Sequence, residues 1–282
     1  MNNRQQFRIS EMKLINKIYL LFVIMFLVVE TGYSKEKLKI VVSNYPLQFF
    51  AEHLGGNQVS VSNIVPFGVD LHEYRPSPRE MGSVWKADIF LYHGFGEEPW
   101  AERIIDDLHK KGILTLKIED IFKGLLKNNR ELLKYDKNDR IVLNDPHLWL
   151  DPLLSMEIVK GLATLLQKAD SSNNNFNINL QKLSNDLAGL HEYYNKGLRS
   201  CKSRIIITTH NAFEFLARRY NLKSYSILGI SGEDTPSPRK IIRLIKLIKS
   251  NKIPIIFYET QTSYIILTNS KEKPYLKINI AG

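Results

Sequence analysis

The sequence predicts an α/β protein whose parallel sheets are flanked by helices and arranged as two pseudo-symmetric lobes joined by one long linker helix. Short β-branched runs alternate with helical patterns, an order typical of parallel sheets covered on both faces. The second half also repeats the first. The matching positions are Ile40 with Ile205, Phe50 with Phe215, and the tetrapeptide Pro-Ser-Pro-Arg at 76–79 with the same tetrapeptide at 236–239. Between the halves, apolar residues recur at helical spacing over 176–198, long enough to connect two lobes.

The first 34 residues have the layout of a secretory signal. Lys13 and Lys17 precede an apolar run from Ile18 to Val29, and small residues follow at Gly32 and Ser34. The run is too short to span a bilayer comfortably. A buried core helix is the alternative, which the charged front and the small-residue end disfavour. The expected divisions are a signal peptide at 1–34, an N-terminal lobe at 35–170, the linker at 171–200 and a C-terminal lobe at 201–282.

Charge and cysteine content limit the function classes. The net charge of +10 falls to +8 once the four basic and two acidic residues of the leader are removed. The remaining lysines are scattered without clustered aromatic residues, which indicates a solvated surface and no nucleic-acid partner. Cys201 is the only cysteine, so neither an internal disulfide nor a thiolate metal site is available, and we expect it to pack beside the following strand. We expect a monomer.

The remaining elements follow from periodicity and punctuation. In the first half, strands are predicted at 38–43, 58–65, 87–92 and 113–118, and helices at 46–54, from 78 onward and at 97–110. The segment 122–140 is polar and lysine-rich and is predicted to be a surface excursion. In the second half, a helix is predicted from Pro152 to Ala169, and strands at 204–209, 224–229 and 253–258.

One helix start is especially well defined. Ser77 is a cap residue, Pro78 occupies the first helical position, and Glu80 stands three residues after the cap, which together predict a capping box. The histidine at position 72 is therefore predicted to lie in a loop just before a rigid helix.

Three histidines occupy loops at strand ends or helix starts: His72, His147 and His210. In open parallel sheets such loops gather beyond the carboxyl ends of the strands, where ligands bind. Three imidazoles with a carboxylate or water suit a tetrahedral zinc ion, at roughly 2.0 to 2.1 Å per nitrogen. Taken singly, each histidine is more often an ordinary surface or core residue than a ligand. Three further histidines lie inside helical patterns beside charged neighbours and are predicted to be surface residues: His53, His109 and His191. His93 follows a strand end and is a further candidate to approach this cleft.

Four segments resemble the signature segments of the zinc/manganese periplasmic-binding-protein family, the cluster A-I solute-binding components of ABC metal importers, and especially the high-affinity zinc uptake type. They are Val-Asp-Leu-His72-Glu-Tyr-Arg-Pro-Ser-Pro, Asp-Pro-His147-Leu-Trp-Leu-Asp-Pro, Thr-His210-Asn-Ala-Phe-Glu-Phe-Leu-Ala-Arg-Arg-Tyr and Gly229-Ile-Ser-Gly-Glu-Asp-Thr-Pro-Ser-Pro. The resemblance covers about 39–259. It implies two α/β lobes with the metal between them and direct ligation by His72, His147 and His210. Histidine at the third position, where manganese-selective relatives carry glutamate, favours zinc over manganese.

The sequence departs from this family in two places. The histidine-rich loop found in many zinc-binding members has no counterpart, because 122–140 contains no histidine. The segment 262–282 lacks both a helical period and any aspartate, whereas relatives place a ligand aspartate there. The C-terminal lobe is therefore predicted to be shortened, and water, Glu233 or Glu259 are the candidates for the fourth ligand.

The resemblance implies a periplasmic, non-enzymatic protein that carries zinc to a membrane permease driven by an ATPase. Three alternatives remain open at this level. A zinc hydrolase would also use three histidines and a water, although no His-Glu-x-x-His motif is present. An adhesin or manganese-binding relative would share the scaffold, and a degraded remnant would bind metal weakly.

Overall fold

The computed structural model describes residues 36–66, 69, 71, 74–128, 144–230, 236–259 and 279–280, together with Lys17 and Tyr19. By their contacts, Leu38–Gly282 form one compact unit and Met1–Lys37 another. Most of the predicted signal peptide lies outside the described residues. In the part of the chain that the structure describes, no helix combines the length and the apolarity needed to cross a membrane.

The first sheet has four parallel strands in the order β2-β1-β3-β4. Their bounds are β1 Leu38–Val42, β2 Val59–Asn63, β3 Ile89–Tyr92 and β4 Leu114–Lys117. Alternate residues of β1 and β3 point to opposite faces: Ile40 and Leu91 belong to one core, and Val41 and Phe90 to a second. The central strands are thus buried on both sides, as predicted for a parallel sheet.

Helices cover both faces of this sheet. They are α1 Tyr45–Gly55, α2 Pro78–Val84, α3 Pro99–Glu102, α4 Ile105–Lys110 and α5 Ile118–Asn128. The capping box of α2 is confirmed, since the Ser77 hydroxyl accepts from the Glu80 N–H and the Glu80 carboxylate accepts from the Ser77 N–H. The continuous helix predicted over 97–110 is wrong, because the chain forms two short helices interrupted at Arg103 and Ile104.

The surface excursion predicted from residue 122 is also wrong in its first part. Residues up to Asn128 belong to α5, whose Ile118 and Phe122 are buried one turn apart in the core, with Leu125 packed against it. The lysines of this helix lie on its other face and obscured the apolar period in the sequence. Residues 129–143 of the excursion lie outside the described residues.

Two long helices follow in the middle of the chain. They are α6 Pro152–Ala169 and α7 Asn175–Arg199, both close to their predicted bounds. The 25 residues of α7 span about 38 Å at 1.5 Å per residue. The buried face of α7 packs in the core that contains Ile40 and Leu91, through Phe176, Leu183 and Leu187. Near its other end, His191 Nδ1 lies 3.1 Å from the Tyr220 hydroxyl of the second half, so this histidine is not the plain surface residue that its charged neighbours indicate.

The second half has two short parallel sheets, β5-β6 and β7-β8, among its described residues. Its elements are β5 Ile205–Thr208, α8 Glu214–Arg219, β6 Lys223–Ser226, α9 Pro238–Asn251, β7 Tyr258–Glu259 and β8 Asn279–Ile280. An isolated parallel bridge between Thr208 and Phe257, just before β7, connects the two sheets. Through this bridge the strands follow the order β6-β5-β7-β8, which corresponds to the order β2-β1-β3-β4 of the first sheet.

The repeated Pro-Ser-Pro-Arg also has the same structure in both halves. Ser237 caps α9 by accepting from the Lys240 N–H, as Ser77 caps α2. The predicted pseudo-symmetry is therefore confirmed in strand order and in helix capping. Two expectations fail: the predicted strand 253–258 is regular only from Tyr258, and Cys201 is exposed. Residues 260–278 lie outside the described residues, so the shortened lobe stays a prediction.

Candidate metal centre

His147 is held in a tight turn before α6. The chain makes one 3-10 turn over Leu148–Leu150 and enters α6 after Asp151, whose carboxylate caps that helix by accepting from the Leu153 N–H at 2.9 Å. The His147 side chain is 13% exposed, enough to be reached from outside while most of the ring is enclosed.

Asp145 fixes the orientation of this imidazole. A single carboxylate oxygen, Oδ1, accepts from the His147 backbone N–H at 3.0 Å and lies 2.7 Å from the ring Nδ1. Because a carboxylate only accepts, the ring proton is on Nδ1 and the Nε2 lone pair is left for an electrophile. Asp145 is fully buried, and its Oδ2 receives no hydrogen bond from the described residues. A cation at His147 Nε2 would offset this buried negative charge.

His210 meets His147 from the other half of the chain. It lies two residues beyond β5, where the Thr208 hydroxyl donates to the His210 carbonyl at 2.7 Å and the Asn211 N–H donates to the Gly229 carbonyl at 2.7 Å. The ring centroids of His147 and His210 are 5.3 Å apart. Two imidazoles at this separation are close enough to share one small cation.

The contact between the two halves depends on α8. Phe215, on the first turn of this helix, is fully buried in the core of the first half and packs edge-to-face on Phe122 at 5.7 Å. One turn later, Arg219 Nε donates to Asp151 Oδ2 at 2.7 Å, and both side chains are almost entirely buried. Burial raises the pKa of Asp151 above its ordinary value despite the adjacent guanidinium.

His93 lies behind this site. Trp149 contacts it edge-on at 4.7 Å between centroids and contacts His147 at 5.1 Å. The Asn44 side-chain amide donates to His93 Nε2 at 2.6 Å, while its oxygen caps α1. Complete burial, together with the nearby His147, lowers the pKa of His93 to about 3. This neutral histidine therefore supports Trp149 from within the core.

The turn after β3 is held by a buried carboxylate. Glu98 accepts from the backbone N–H groups of His93 and Gly94, both at 3.0 Å. Gly94 has φ +79°, and a Cβ there would lie 2.3 Å from Lys117 Cε, so only glycine fits. Burial raises the pKa of Glu98 to about 7, which these hydrogen bonds only partly oppose.

The third predicted ligand, His72, lies outside the described residues. Among the residues that are described, no group of three or more histidine, cysteine, aspartate or glutamate side chains could hold a metal ion. The structure thus brings together two of the three predicted histidines. His53 and His109 are exposed on α1 and α4, as their charged neighbours predict.

Comparison with known proteins agrees with this geometry. The family model described as zinc-uptake complex component A, periplasmic (ZnuA), matches residues 40–273. The chain belongs to the ZnuA family.

Individual members of the ZnuA family are similar over most of this chain. The zinc-binding lipoprotein AdcA of Streptococcus pneumoniae is 29% identical over 248 residues, 86% of this chain but 49% of AdcA, so the chain spans about half the length of that relative. A Zn(II)-bound variant of AdcAII from the same species has a TM-score of 0.72 at 26% identity, and the alignment covers 86% of this chain and 89% of the AdcAII chain. The laminin-binding protein Lmb of Streptococcus agalactiae, a bifunctional protein with adhesin and metal-transporting activity, has a TM-score of 0.69 at 27% identity, with 82% and 83% covered.

Several residues that build this candidate site were not predicted. The role of Asp145 has a sequence signal, because the aspartate side chain commonly accepts a hydrogen bond from the backbone N–H two residues further along the chain and so forms an Asx turn. The pairing of Asp151 with Arg219 has none, because 68 residues separate them. The burial of His93 likewise depends on packing by Trp149 and Asn44, which no local pattern indicates.

Proposed function

We propose that this chain is the substrate receptor of a zinc ABC importer, which captures zinc(II) outside the cytoplasm and delivers it to a membrane permease driven by an ATPase. The observation that carries the proposal is the 5.3 Å separation of the His147 and His210 rings, which come from distant segments of the chain. Membership of the ZnuA family and the zinc-bound structure of AdcAII support it.

The proposed ligands are His72, His147 and His210. Neutral imidazoles replace part of the hydration shell of the ion, and the chain does no covalent chemistry. The carboxylate of Asp145 keeps His147 in the tautomer that presents Nε2 and fixes the orientation of the ring. Zinc affinity therefore falls as pH drops, because protons compete for the same nitrogens. Water, Glu233 or Glu259 supplies the fourth position.

Location and lobe boundaries are part of the same proposal. The leader at 1–34 directs export to the periplasm, the N-terminal lobe covers 35–170, the linker 171–200 and the C-terminal lobe 201–282. The family match and the lipoprotein relative AdcA support export. The buried stripe of α7 supports a stiff linker and hence modest lobe movement on binding.

The test is metal analysis of the chain purified without added metal, followed by calorimetry with zinc and with manganese. We expect about one zinc per chain, bound more tightly than manganese, and loss of binding when His72, His147 and His210 are all changed to alanine. The matched control is His53→Ala with His109→Ala, which removes two exposed histidines. Absence of any zinc site tighter than the micromolar range contradicts the proposal, as does zinc-dependent hydrolysis that is abolished by His72→Ala.

Adhesion is the second candidate function, favoured by the structural similarity to Lmb. Binding of immobilised laminin by the purified chain tests it. An adhesin role predicts saturable laminin binding that persists in the triple histidine variant, whereas a receptor dedicated to zinc transport shows none.

A further inference from the structure

The buried ion pair between Asp151 and Arg219 connects the two halves of the chain next to the metal centre. The Arg219 side chain is 3% exposed and the Asp151 side chain 1%, and Nε lies 2.7 Å from Oδ2. The other oxygen of Asp151 caps α6 through the Leu153 N–H. Desolvating both charges offsets much of their attraction, so such a pair adds little net stability while it restricts geometry strongly.

Each partner follows one of the two histidines along the chain. Asp151 follows His147 by four residues, across a 3-10 turn closed by Leu150 N–H to His147 carbonyl and Asp151 N–H to Leu148 carbonyl bonds. Arg219 ends α8, which begins four residues after His210.

Arg219 lies on the same face of α8 as Phe215, which is buried in the core of the first half. This helix is therefore fixed to the first half at two points, one apolar and one ionic. A shift of α8 along its axis would break the ion pair before it exposed the phenyl ring, because hydrogen bonds depend on distance and angle more steeply than burial does.

We propose that Asp151 and Arg219 are positioning residues that set the separation of His147 and His210 and so preorganise the metal site. This inference rests on the proposed function. A zinc site tolerates only small errors in nitrogen position, so loss of the pair costs affinity even when the fold persists.

The neighbouring residue offers a matched control. Arg218 is on the same helix and its Nε donates to Glu214 Oε1 at 2.5 Å, but this pair lies within α8 and is partly exposed, at 25% and 16%. Arg218→Met is therefore the same substitution one position away, and the Arg218–Glu214 pair that it breaks lies within α8.

The experiment measures zinc affinity of the full chain by competition with a chromophoric chelator, for the wild type and for Arg219→Met, Asp151→Asn, the double variant and Arg218→Met. Asparagine retains the helix cap of α6, so Asp151→Asn isolates the ion pair from capping. We expect Arg219→Met and Asp151→Asn to weaken zinc binding about 10- to 100-fold. The double variant should bind zinc no more weakly than the weaker-binding of the two single variants. The zinc affinity of Arg218→Met should stay within about twofold of the wild type.

Two further readouts distinguish positioning from general destabilisation. Arg219→Lys keeps the charge and should fall between the wild type and Arg219→Met. The visible absorption of bound Co²⁺, which reports coordination geometry, should change in Asp151→Asn and remain unchanged in Arg218→Met. Thermal unfolding of the metal-free variants shows which of them fold. If Arg219→Met does not fold, the zinc affinity of Asp151→Asn tests the inference.

Wild-type affinity in Asp151→Asn overturns the inference, as do equal losses in Arg219→Met and Arg218→Met. Failure of the wild type itself to bind zinc is a different result, because it contradicts the proposed function before any variant is compared.

Discussion

Replacing Asp145 with asparagine tests how far one buried carboxylate controls the metal centre. The substitution keeps the shape of the side chain and removes its charge. In one orientation the amide oxygen still accepts from His147 N and Nδ1, and the amide nitrogen then occupies the buried position of Oδ2, which receives no hydrogen bond from the described residues. In the other orientation the amide nitrogen donates to Nδ1, so the ring proton moves to Nε2 and blocks the nitrogen proposed to bind zinc.

Either orientation weakens zinc binding, since a neutral amide replaces the charged hydrogen-bond partner of the His147 ring. Removal of such a supporting partner lowers metal affinity about 10- to 100-fold, equivalent to about 1.4 to 2.7 kcal/mol. Loss of the hydrogen bonds that His147 makes to a charged carboxylate should also reduce the free energy of unfolding of the metal-free chain by about 1 to 3 kcal/mol.

The assay is competition with a chromophoric chelator, combined with urea unfolding of the metal-free chain. Asp88→Asn is the control, because the Asp88 carboxylate also accepts a backbone N–H, from Lys39 at 2.7 Å, but is exposed and lies just before the start of β3. Zinc affinity of Asp145→Asn within about threefold of the wild type would show that this carboxylate does not orient the ligand.

Three further outcomes are expected. Phe215→Ala should lower the free energy of unfolding by about 3 to 5 kcal/mol in urea titrations, because it opens a cavity beside Phe122. A loss below about 1 kcal/mol would mean that α8 is not anchored in the core of the first half. Glu98→Gln should reduce the pH dependence of the free energy of unfolding. Burial raises the pKa of Glu98 from 4.5 to about 7, so the contribution of Glu98 to stability is complete below about pH 4.5 and is lost as pH rises through 7. Plots of the free energy of unfolding against pH that stay parallel for wild type and variant over this range would contradict the prediction. Ser77→Ala should cost about 1 kcal/mol in thermal unfolding through loss of the capping box, whereas Ser83→Ala on the exposed side of the same helix should cost little.

Local chemistry accounts for most of what could be predicted. Asn44, Ser77 and Ser237 cap helices whose starts are visible in the sequence, because a cap needs only the residue itself and the next three. The errors also have local causes. The helix predicted over 97–110 ends at Glu102 and a second helix begins at Ile105, and the lysines of α5 obscured the apolar face that includes Phe122.

The amino-acid sequence by itself determined the α/β class, the repeat of the two halves and the position of His147 and His210 in loops at helix and strand ends. These features depend on periodicity and on contacts between near neighbours. Only the tertiary structure decided that His147 and His210 lie side by side, that Asp151 and Arg219 form a buried pair, and that His93 lies behind the site. Each of these depends on contacts between residues far apart in the chain, which form only when the apolar faces of several elements are buried together.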